Sequence, residues 1–408
     1  MVGGLTNDDR GGEAIKAPAA WQVTAEEVAE RWQRVRCACG APLRRWAWLG
    51  VWLILTGGVL LLRPSAADEL CGKRLVYYGW HIPETAALRA QWEEIDRAPF
   101  DGTSLTVAVD YNAWAAGVRQ NVNMLGWQLW NTRVFTVEHF ARQIRDIQAA
   151  RPVRVREYSF PVIPSSMYVT GLHWFDDARF EGIVANMTTL AQIMRAVGAS
   201  WLLIDPEHYG VKLFSYPAQR ALHPASFEAY AAQARARGRA LVRAMTADVP
   251  TLKIFALHGY PVAAGGKARP DLSTQEYGLL AAFYDGLLEA LPRDSAFVDG
   301  YEWAYGFKQR RQFTEAAKAI RQAKRVSQAP ELYSRFVKVG FGIWLDYAKS
   351  LAYFTPAEFS VAVREALRAS DRYVWIYSEW VPVLTETAAN RPYLEVLHQL
   401  RAGCRLSP

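Results

Sequence analysis

From Lys73 onward, short apolar runs alternate with longer segments of helical periodicity, and this alternation limits the possible folds more than any other feature. Eight runs have strand character: Arg74–Trp80, Ser104–Val109, Val155–Ile163, Trp201–Ile204, Lys253–Leu257, Ala296–Gly300, Lys338–Ile343 and Arg372–Tyr377. Helical segments fall between and after them: Glu84–Arg97, Val137–Ala149, Phe180–Val197, Pro224–Ala247, Gln275–Leu291, Gln312–Val326, Pro356–Ser370 and Tyr393–Leu400. Strands that alternate with helices are typical of parallel βαβ units.

Eight such units predict an α/β protein with a closed (β/α)8 TIM barrel over residues 68–408. The whole chain has 408 residues, which is long for one ordinary domain and suits a barrel with appendages. A doubly wound open sheet is the alternative. No G-x-G-x-x-G follows any of the strands, so a dinucleotide site has no support and no cofactor is expected.

The fourth run, in the stretch WLLIDPEHYG, carries the most informative polar residues. Trp201–Ile204 is continuously apolar, as expected for a strand that is buried on both faces. In an extended chain residues two apart share a face, so Asp205 and Glu207 point the same way. Two carboxylates at the end of a buried strand are costly without a purpose. A helix N-cap pair or a solvated loop is the alternative interpretation.

Other strand ends also carry carboxylates, histidines and aromatic residues. Barrel enzymes place their chemistry at the C-terminal ends of the strands. The residues found there, besides the fourth-strand pair, are Trp80, His81, Asp110, Tyr111, His208, Tyr209, His258, Tyr260, Asp299, Tyr301, Glu302, Tyr305, Trp344, Asp346, Ser378, Glu379 and Trp380. The candidate site is drawn from these positions.

Several chemistries fit this set poorly. A metal-dependent hydrolase barrel usually has His-x-His on its first strand, and this chain offers only His81 there, so no metal is expected. A dispersed site built from His81, His208 and His258 stays open. No G-x-S-x-G elbow is present, and no glycine-rich phosphate turn follows the last strands.

Cleavage of a glycosidic bond fits best, because it uses two carboxyl groups in a cleft that binds sugars. Glu207 is predicted to be the acid, with a pKa raised by the like charge of Asp205. Glu302 is favoured as the second carboxylate, and Glu379 is the alternative. The predicted substrate-binding residues are His81, Trp80, Tyr209, His258, Asp299, Tyr301, Trp344, Asp346, Trp375 and Trp380.

The strand that ends in D-x-E resembles the fourth strand of barrel glycoside hydrolases of the chitinase and lysozyme kind. The resemblance implies that Glu207 is the acid, that Asp205 supports it and that Trp375 lies under the sugar. Chitinase barrels have a further Asp where this chain has Leu203, so substrate-assisted cleavage is not implied. The phrases FDG at 100–102, DPEHYG at 205–210 and DGYE at 299–302 also resemble exported bacterial barrel proteins of unassigned activity.

The region before the barrel has the pattern of an export signal. Residues 1–42 form a leader, and residues 43–67 contain Arg44, Arg45 and the apolar run 46–62, which is followed by small residues. This segment is either a signal peptide cleaved after Ala67 or an uncleaved membrane anchor. Both alternatives place the barrel outside the cytoplasm, where it is secreted, periplasmic or membrane-anchored. There Cys71 and Cys404 could pair.

The charge distribution gives no sign of nucleic-acid binding. The formal net charge of +7 comes from 47 basic and 40 acidic residues without a basic block, so that role is not expected. No obligate protein partner is evident. The predicted partner is a carbohydrate, with the membrane added if residues 46–62 are retained. A non-catalytic glycan-binding barrel at the cell envelope remains the alternative function.

Overall fold

The computed structural model describes residues 70–112, 121–267, 269–347 and 350–402. The leader, the apolar run 46–62 and Cys404 lie outside these residues. The described residues belong to the unit of the chain that begins at Arg63. None of the helices described is both long and apolar enough to cross a membrane.

The centre of the structure is one parallel sheet of nine short strands. They are β1 (Arg74–Gly79), β2 (Gly102–Ser104), β3 (Glu157–Val162), β4 (Trp201–Ile204), β5 (Lys253–Ala256), β6 (Phe297–Asp299), β7 (Val337–Val339), β8 (Phe341–Trp344) and β9 (Tyr373–Ser378). The hydrogen-bonded order is β7-β6-β5-β4-β3-β2-β1-β9-β8. The chain therefore lays down β1 to β7 side by side and returns with β9 beside β1.

The ring closes where β7 and β8 meet. These two strands are separated only by Gly340, yet β7 pairs with β6 and β8 pairs with β9. The Gly340 N–H still donates to the Asp299 carbonyl at 2.8 Å. A Cβ at this position would lie 2.6 Å from the Val298 side chain. The seventh predicted strand is thus two half-strands, and the prediction of a parallel, barrel-like α/β fold is confirmed.

Helices cover the outside of the sheet. The α-helices are α1 (Thr85–Arg97), α2 (Leu125–Gln128), α3 (Ala141–Ala149), α4 (Asp177–Val197), α5 (Tyr216–Leu222), α6 (Phe227–Thr246), α7 (Tyr260–Ala263), α8 (Leu280–Ala290), α9 (Arg310–Gln322), α10 (Pro330–Phe336), α11 (Pro356–Ala369) and α12 (Arg391–Arg401). Local signals set several boundaries. Asp176 and Ser226 accept backbone N–H groups at the starts of α4 and α6, and Gly198 ends α4 in a left-handed conformation.

The second strand is displaced from its predicted position. The apolar run predicts a strand over Ser104–Val109, but β2 ends at Ser104. The Leu105 N–H still donates to the Ser159 carbonyl of β3 at 2.8 Å, and the residues after it bond to a later loop: Leu125 N–H donates to the Val107 carbonyl at 2.9 Å. An antiparallel bridge joins Ala108 to Met124. The apolar run is buried as expected, but most of it packs outside the barrel ladder.

Alternate residues of each strand face two different parts of the core. In β4, Trp201 and Leu203 join the cluster inside the barrel, whereas Leu202 and Ile204 join the cluster under the helices. Asp205 and Glu207 continue the alternation of Trp201 and Leu203. The period of the strand therefore carries both carboxylates to the axis of the barrel, at the C-terminal ends of the strands.

Cys71, just before β1, is disulfide-bonded. Its predicted partner, Cys404, lies outside the described residues, so that pairing stays a prediction.

Candidate active site

Three neighbouring strands each contribute one side chain to a compact group at the C-terminal end of the barrel. Glu207 follows β4, His258 follows β5 and Glu302 follows β6. One carboxylate oxygen of each Glu and one ring nitrogen of the His all lie within 4.8 Å of one another. The two glutamate side chains are 21% and 12% exposed, so the group is largely dehydrated and still reaches solvent.

His258 lies between the two glutamates. Its Nε2 is 3.3 Å from Glu207 Oε1 and 3.5 Å from Glu302 Oε2. One N–H cannot serve both carboxylates well, and Glu302 Oε2 has no hydrogen-bond partner within the described part of the chain. The His258 carbonyl accepts the hydroxyl of Tyr284 at 2.6 Å, which fixes the backbone behind the ring.

Tyr209 ties Glu207 to Asp205. Its hydroxyl lies 2.7 Å from Glu207 Oε2 and 3.0 Å from Asp205 Oδ2. Asp205 Oδ1 accepts the backbone N–H of Glu207 at 3.1 Å. Asp205 is buried, so the turn after β4 is held by its own side chain, and Glu207 is left to face His258.

The pKa values in this group are ordered differently from the expectation. Burial raises the pKa of Glu302 to about 8, and the charge of Glu207 adds to that rise. Burial would also raise the pKa of Glu207, but the hydrogen bond and charge of His258 lower it below its ordinary value. Opposed by burial, the charges of Glu302 and Glu207 raise the pKa of His258 to about 9. At neutral pH Glu207 is ionised and Glu302 is protonated.

The repulsion between the like charges of Asp205 and Glu207 therefore raises the pKa of Asp205 and not that of Glu207. The pKa of Asp205 is raised, by burial and then by Glu207. The expectation that Asp205 raises the pKa of Glu207 is wrong, because the cation at His258 outweighs the neighbouring carboxylate.

Asp299 lies beneath this group and is fully buried. Its Oδ1 accepts the Tyr301 N–H at 3.3 Å, and its Oδ2 has no hydrogen-bond partner among the described residues. Burial raises its pKa to about 7. A Cβ on Gly259 would fall 1.9 Å from Asp299 Oδ2, so only glycine permits this approach of the β5 and β6 ends. Asp299 supports the site from below and does not face solvent.

An unusual backbone conformation directs Glu302 inward. Among the described residues, Tyr301 is the one non-glycine with positive φ, at φ 42° and ψ 64°. Such a conformation is uncommon for an aromatic residue. The turn that follows sends Glu302 toward His258 and leaves Trp303 on the surface, 41% exposed. The Tyr305 hydroxyl then donates to Glu302.

The predicted aromatic residues divide into exposed and buried sets. Trp80 and Trp380 are exposed, Trp344 is half-buried and Tyr301 is buried. Trp375 is 1% exposed, and its Nε1 donates to the Gly300 carbonyl at 2.9 Å. Its ring packs under Tyr305 at 5.2 Å between centroids. The expectation that Trp375 offers a face to sugar is wrong in this structure, because Tyr305 covers it.

Asp346 is buried and acts on the protein backbone. It accepts the N–H groups of residues 379, 380 and 381 at 2.6–3.2 Å, the Ser378 hydroxyl and the Trp344 indole. Its oxygens are saturated by these donors. Asp346 therefore orders the loop after β9, and its predicted direct contact with substrate has no support.

The remaining predicted residues lie around this centre. Glu379 follows β9, and its charge contributes to raising the pKa of Tyr377; the residue that joins Glu207 and His258 is Glu302. The backbone N–H of His81 donates to the Tyr77 hydroxyl at 3.2 Å. His208 turns away, with Nδ1 3.3 Å from Glu276. Of the three histidines considered for a metal, only His258 meets the two glutamates.

A divalent cation would find three ligand atoms in Glu207, His258 and Glu302. Of the dispersed histidine site that the sequence left open, only His258 belongs to this group. A ligating histidine normally donates its other N–H to an acceptor, and His258 Nδ1 has no partner among the described residues. The donors are therefore better suited to proton chemistry.

The candidate residues drawn from the sequence left out Trp127 and Trp303, and they included Tyr305 at the end of the sixth strand without giving it a role. Trp303 stands directly after Glu302, so a wider window after β6 would have included it. Trp127 comes from α2, far from any strand end in sequence, and no local signal points to its contact with Tyr209 at 5.1 Å.

Comparisons with known proteins give matches in structure alone. No family model and no curated protein matches the chain. A GH18 chitinase from Pseudoalteromonas aurantia aligns with 80% of this chain and 99% of its own, at 9% identity and a TM-score of 0.41. A 3-keto-D-glucoside 4-epimerase from E. coli aligns with 80% of this chain and 98% of its own, at 11% identity and a TM-score of 0.41.

An endocellulase from Pyrococcus horikoshii, in complex with cellotetraose, aligns with 80% of this chain and 92% of its own, at 12% identity and a TM-score of 0.41. TM-scores of this size add nothing to the architecture, which follows from the strand order itself. The barrel architecture that the resemblance to barrel glycoside hydrolases implies is present in the strand order.

Proposed function

We propose that this protein hydrolyses a glycosidic bond with Glu207 and Glu302 as the two reacting carboxyl groups. The observation that carries the proposal is their separation. Their facing oxygens are no more than 4.8 Å apart at the C-terminal end of the barrel. Glycosidases that form a covalent intermediate have carboxyl groups roughly 5 Å apart, whereas those that admit a water between them need about 6.5–9.5 Å. The spacing supports double displacement with retention.

The protonation states favour one assignment of the roles. Glu302 keeps its proton at neutral pH and would give it to the glycosidic oxygen as the C–O bond breaks. Glu207, held ionised by His258, would attack the anomeric carbon. Water would then cleave the glycosyl–Glu207 ester, and Glu302 would take the proton from that water. This reverses the assignment made from the sequence, in which Glu207 is the acid.

The supporting residues have separate tasks in this scheme. The protonated His258 keeps Glu207 anionic. Tyr209 orients the Glu207 carboxylate through its 2.7 Å hydrogen bond. Asp205 fixes the turn that carries Glu207. No step requires a cofactor.

Substitution of the two glutamates tests the proposal. Glu302→Gln and Glu207→Gln should each lower kcat by about 10²- to 10⁴-fold, measured as new reducing ends from a panel of glucans, xylan, mannan, chitin oligosaccharides and peptidoglycan. Glu379→Gln should keep kcat within a few-fold. Glu315→Gln, on the exposed face of α9, is the control for surface substitution. Undiminished turnover by either site variant would exclude this chemistry.

A second candidate function is sugar binding without cleavage. It is favoured by the contacts of His258 Nε2 with both glutamates, which engage the two carboxyl groups within the protein. Binding of oligosaccharides by the unmodified protein, without release of any reducing end across the panel, would establish this function instead.

We also propose that the barrel lies outside the cytoplasm, either secreted, periplasmic or anchored. The export-like segment before residue 68 and the disulfide at Cys71 support this location. In protein isolated from its native cells, Cys71 should not be alkylated until a reductant has opened its disulfide.

A further inference from the structure

Three tryptophans are exposed among the described residues, and all three follow barrel strands. Trp80 comes directly after β1 and is 46% exposed, Trp303 follows β6 at 41%, and Trp380 follows β9 at 56%. Large aromatic rings are usually covered, so exposed ones near a site require an explanation. Their shared position places them on the same end of the barrel as Glu207 and Glu302.

A continuous strip of rings connects Trp80 to the reacting carboxylates. The centroid of Trp80 lies 6.5 Å from that of Trp127, which lies 5.1 Å from Tyr209. The Tyr209 hydroxyl contacts Glu207 at 2.7 Å. Tyr168 supports Trp127 with its edge at 6.3 Å. The strip therefore begins at an exposed indole and ends at Glu207.

Trp303 is associated with the other carboxylate of the pair, Glu302. It is the residue after Glu302, and Tyr301, with its positive φ, precedes both. The rings of Tyr301 and Trp303 meet edge to face at 5.8 Å. A Cβ added at Gly266 would lie 3.8 Å from the indole, which is an ordinary van der Waals distance. The turn at Tyr301 therefore directs the carboxyl group of Glu302 toward His258, while the ring of the next residue, Trp303, is exposed on the surface.

We propose that Trp80 and Trp303 form stacking subsites on the two sides of the cleavage point, and that the substrate is a chain of pyranose sugars bound across both. An aromatic face packs against the apolar C–H face of a pyranose while the sugar hydroxyls stay solvated. Subsites on both sides select internal bonds of an oligosaccharide or polysaccharide over a single terminal sugar. The position of cleavage rests on the proposed function, whereas the binding does not.

The test measures binding without turnover. In a Glu302→Gln background, isothermal titration would use the disaccharide and hexasaccharide of three series: β-1,4-linked glucose, N-acetylglucosamine and mannose. At least one hexasaccharide should bind about tenfold or more tightly than its disaccharide. Trp80→Ala and Trp303→Ala should each weaken that hexasaccharide by about five- to tenfold, and Trp303→Phe should recover part of the loss.

Leu222→Ala is the matched control, because it removes an exposed apolar side chain at the end of α5. It should bind as the parent does. Tryptophan variants that bind like the parent, or a panel in which no hexasaccharide binds, would overturn the inference. So would sedimentation data in which the tryptophan variants abolish a dimer and leave sugar affinity unchanged.

The two proposals fail in different ways. Tryptophan-dependent binding of hexasaccharide with no hydrolysis by the unmodified protein would remove the proposed reaction and keep the subsites. If the protein hydrolyses the sugar but the Trp80 and Trp303 variants bind it with unchanged affinity, the proposed reaction stands and the proposed subsites are excluded.

Discussion

At the scale of single residues, the candidate site contains several buried carboxyl groups, and His258 alone cannot balance the negative charge of all of them. Asp205, Asp299 and Glu302 have raised pKa values, chiefly because of burial, while Glu207 alone of this group has a lowered one. The difference is made by His258, the histidine that contacts both Glu207 and Glu302. Its position between Glu207 and Glu302 separates two chemically identical side chains into an anion and an acid.

Because burial raises the pKa of Asp299, the stability of the folded protein should depend on pH through this residue. Its pKa is raised from 3.8 to about 7 in the folded protein. Its stabilising contribution is therefore fully present below the unfolded value and is lost as pH rises through 7. Asp299→Asn should leave the free energy of unfolding unchanged near pH 4 and increase it by about 2 kcal/mol at pH 8. Urea denaturation at both pH values checks this.

A gain of equal size at pH 4 and pH 8 would show that the effect is not one of ionisation. The substitution keeps an acceptor for the Tyr301 N–H.

At this scale the sequence predicted the positions of the carboxylates better than their protonation states. Asp205 and Glu207 were identifiable at the end of β4 because that strand is short, apolar and unbroken. Their pKa values were not predictable, because the pKa of Glu207 depends on His258, which is 51 residues away in sequence. The left-handed backbone at Tyr301 has no sequence signal either, since tyrosine rarely adopts it.

At the scale of elements, the seventh barrel position is the least regular. The stretch 337–344 bends at Gly340, so that its first half pairs with β6 and its second half with β9. The bend depends on glycine because a side chain would collide with the stiff Val298.

Gly340→Ala should lower the free energy of unfolding by about 1–3 kcal/mol, because its Cβ would lie 2.6 Å from Val298 and 3.2 Å from two carbonyl oxygens. Gly182→Ala, in the middle of α4, has only a contact at 3.5 Å and should raise the same free energy by about 0.5–1 kcal/mol. Chemical denaturation of the two variants compares them directly. Equal effects would mean that the bend does not require glycine.

Strands with unbroken apolar runs were placed within about a residue from the sequence, as β4 and β5 illustrate. The displacement of β2 had another origin. Leu105, Val107 and Ala108 are as apolar as a strand requires, but their partners are decided by the loop around Met124. Burial can be predicted from apolar character, whereas the choice between two hydrogen-bonding partners is made by the tertiary structure.

At the scale of the whole molecule, the last helix is fastened to the start of the barrel. Arg401, in α12, contacts Asp101 Oδ1 at 2.5 Å and the Lys73 carbonyl at 2.9 Å. Asp101 also accepts the Leu75 N–H at 2.7 Å. One buried carboxylate thereby joins β1, the approach to β2 and the final helix.

Arg401→Ala should lower the free energy of unfolding by about 2 kcal/mol, because it leaves Asp101 with only Arg74 as a cationic partner. Arg391→Ala, at the start of the same helix, removes a largely exposed ion pair with Glu386 and should cost less than about 1 kcal/mol. Thermal denaturation distinguishes the two. A similar loss from both variants would show that the contact with Asp101 contributes nothing special.

The saturated carboxylate of Asp346 has a consequence for the entropy of binding. The loop that carries Trp380 is already fixed by three backbone N–H groups donated to that carboxylate. Ordering a flexible loop of this kind on association would oppose binding by about 1–2 kcal/mol for each residue immobilised. Here that loss of freedom is incurred when the protein folds. A ligand that meets Trp380 therefore encounters a preorganised surface, and more of its contact energy is available as affinity.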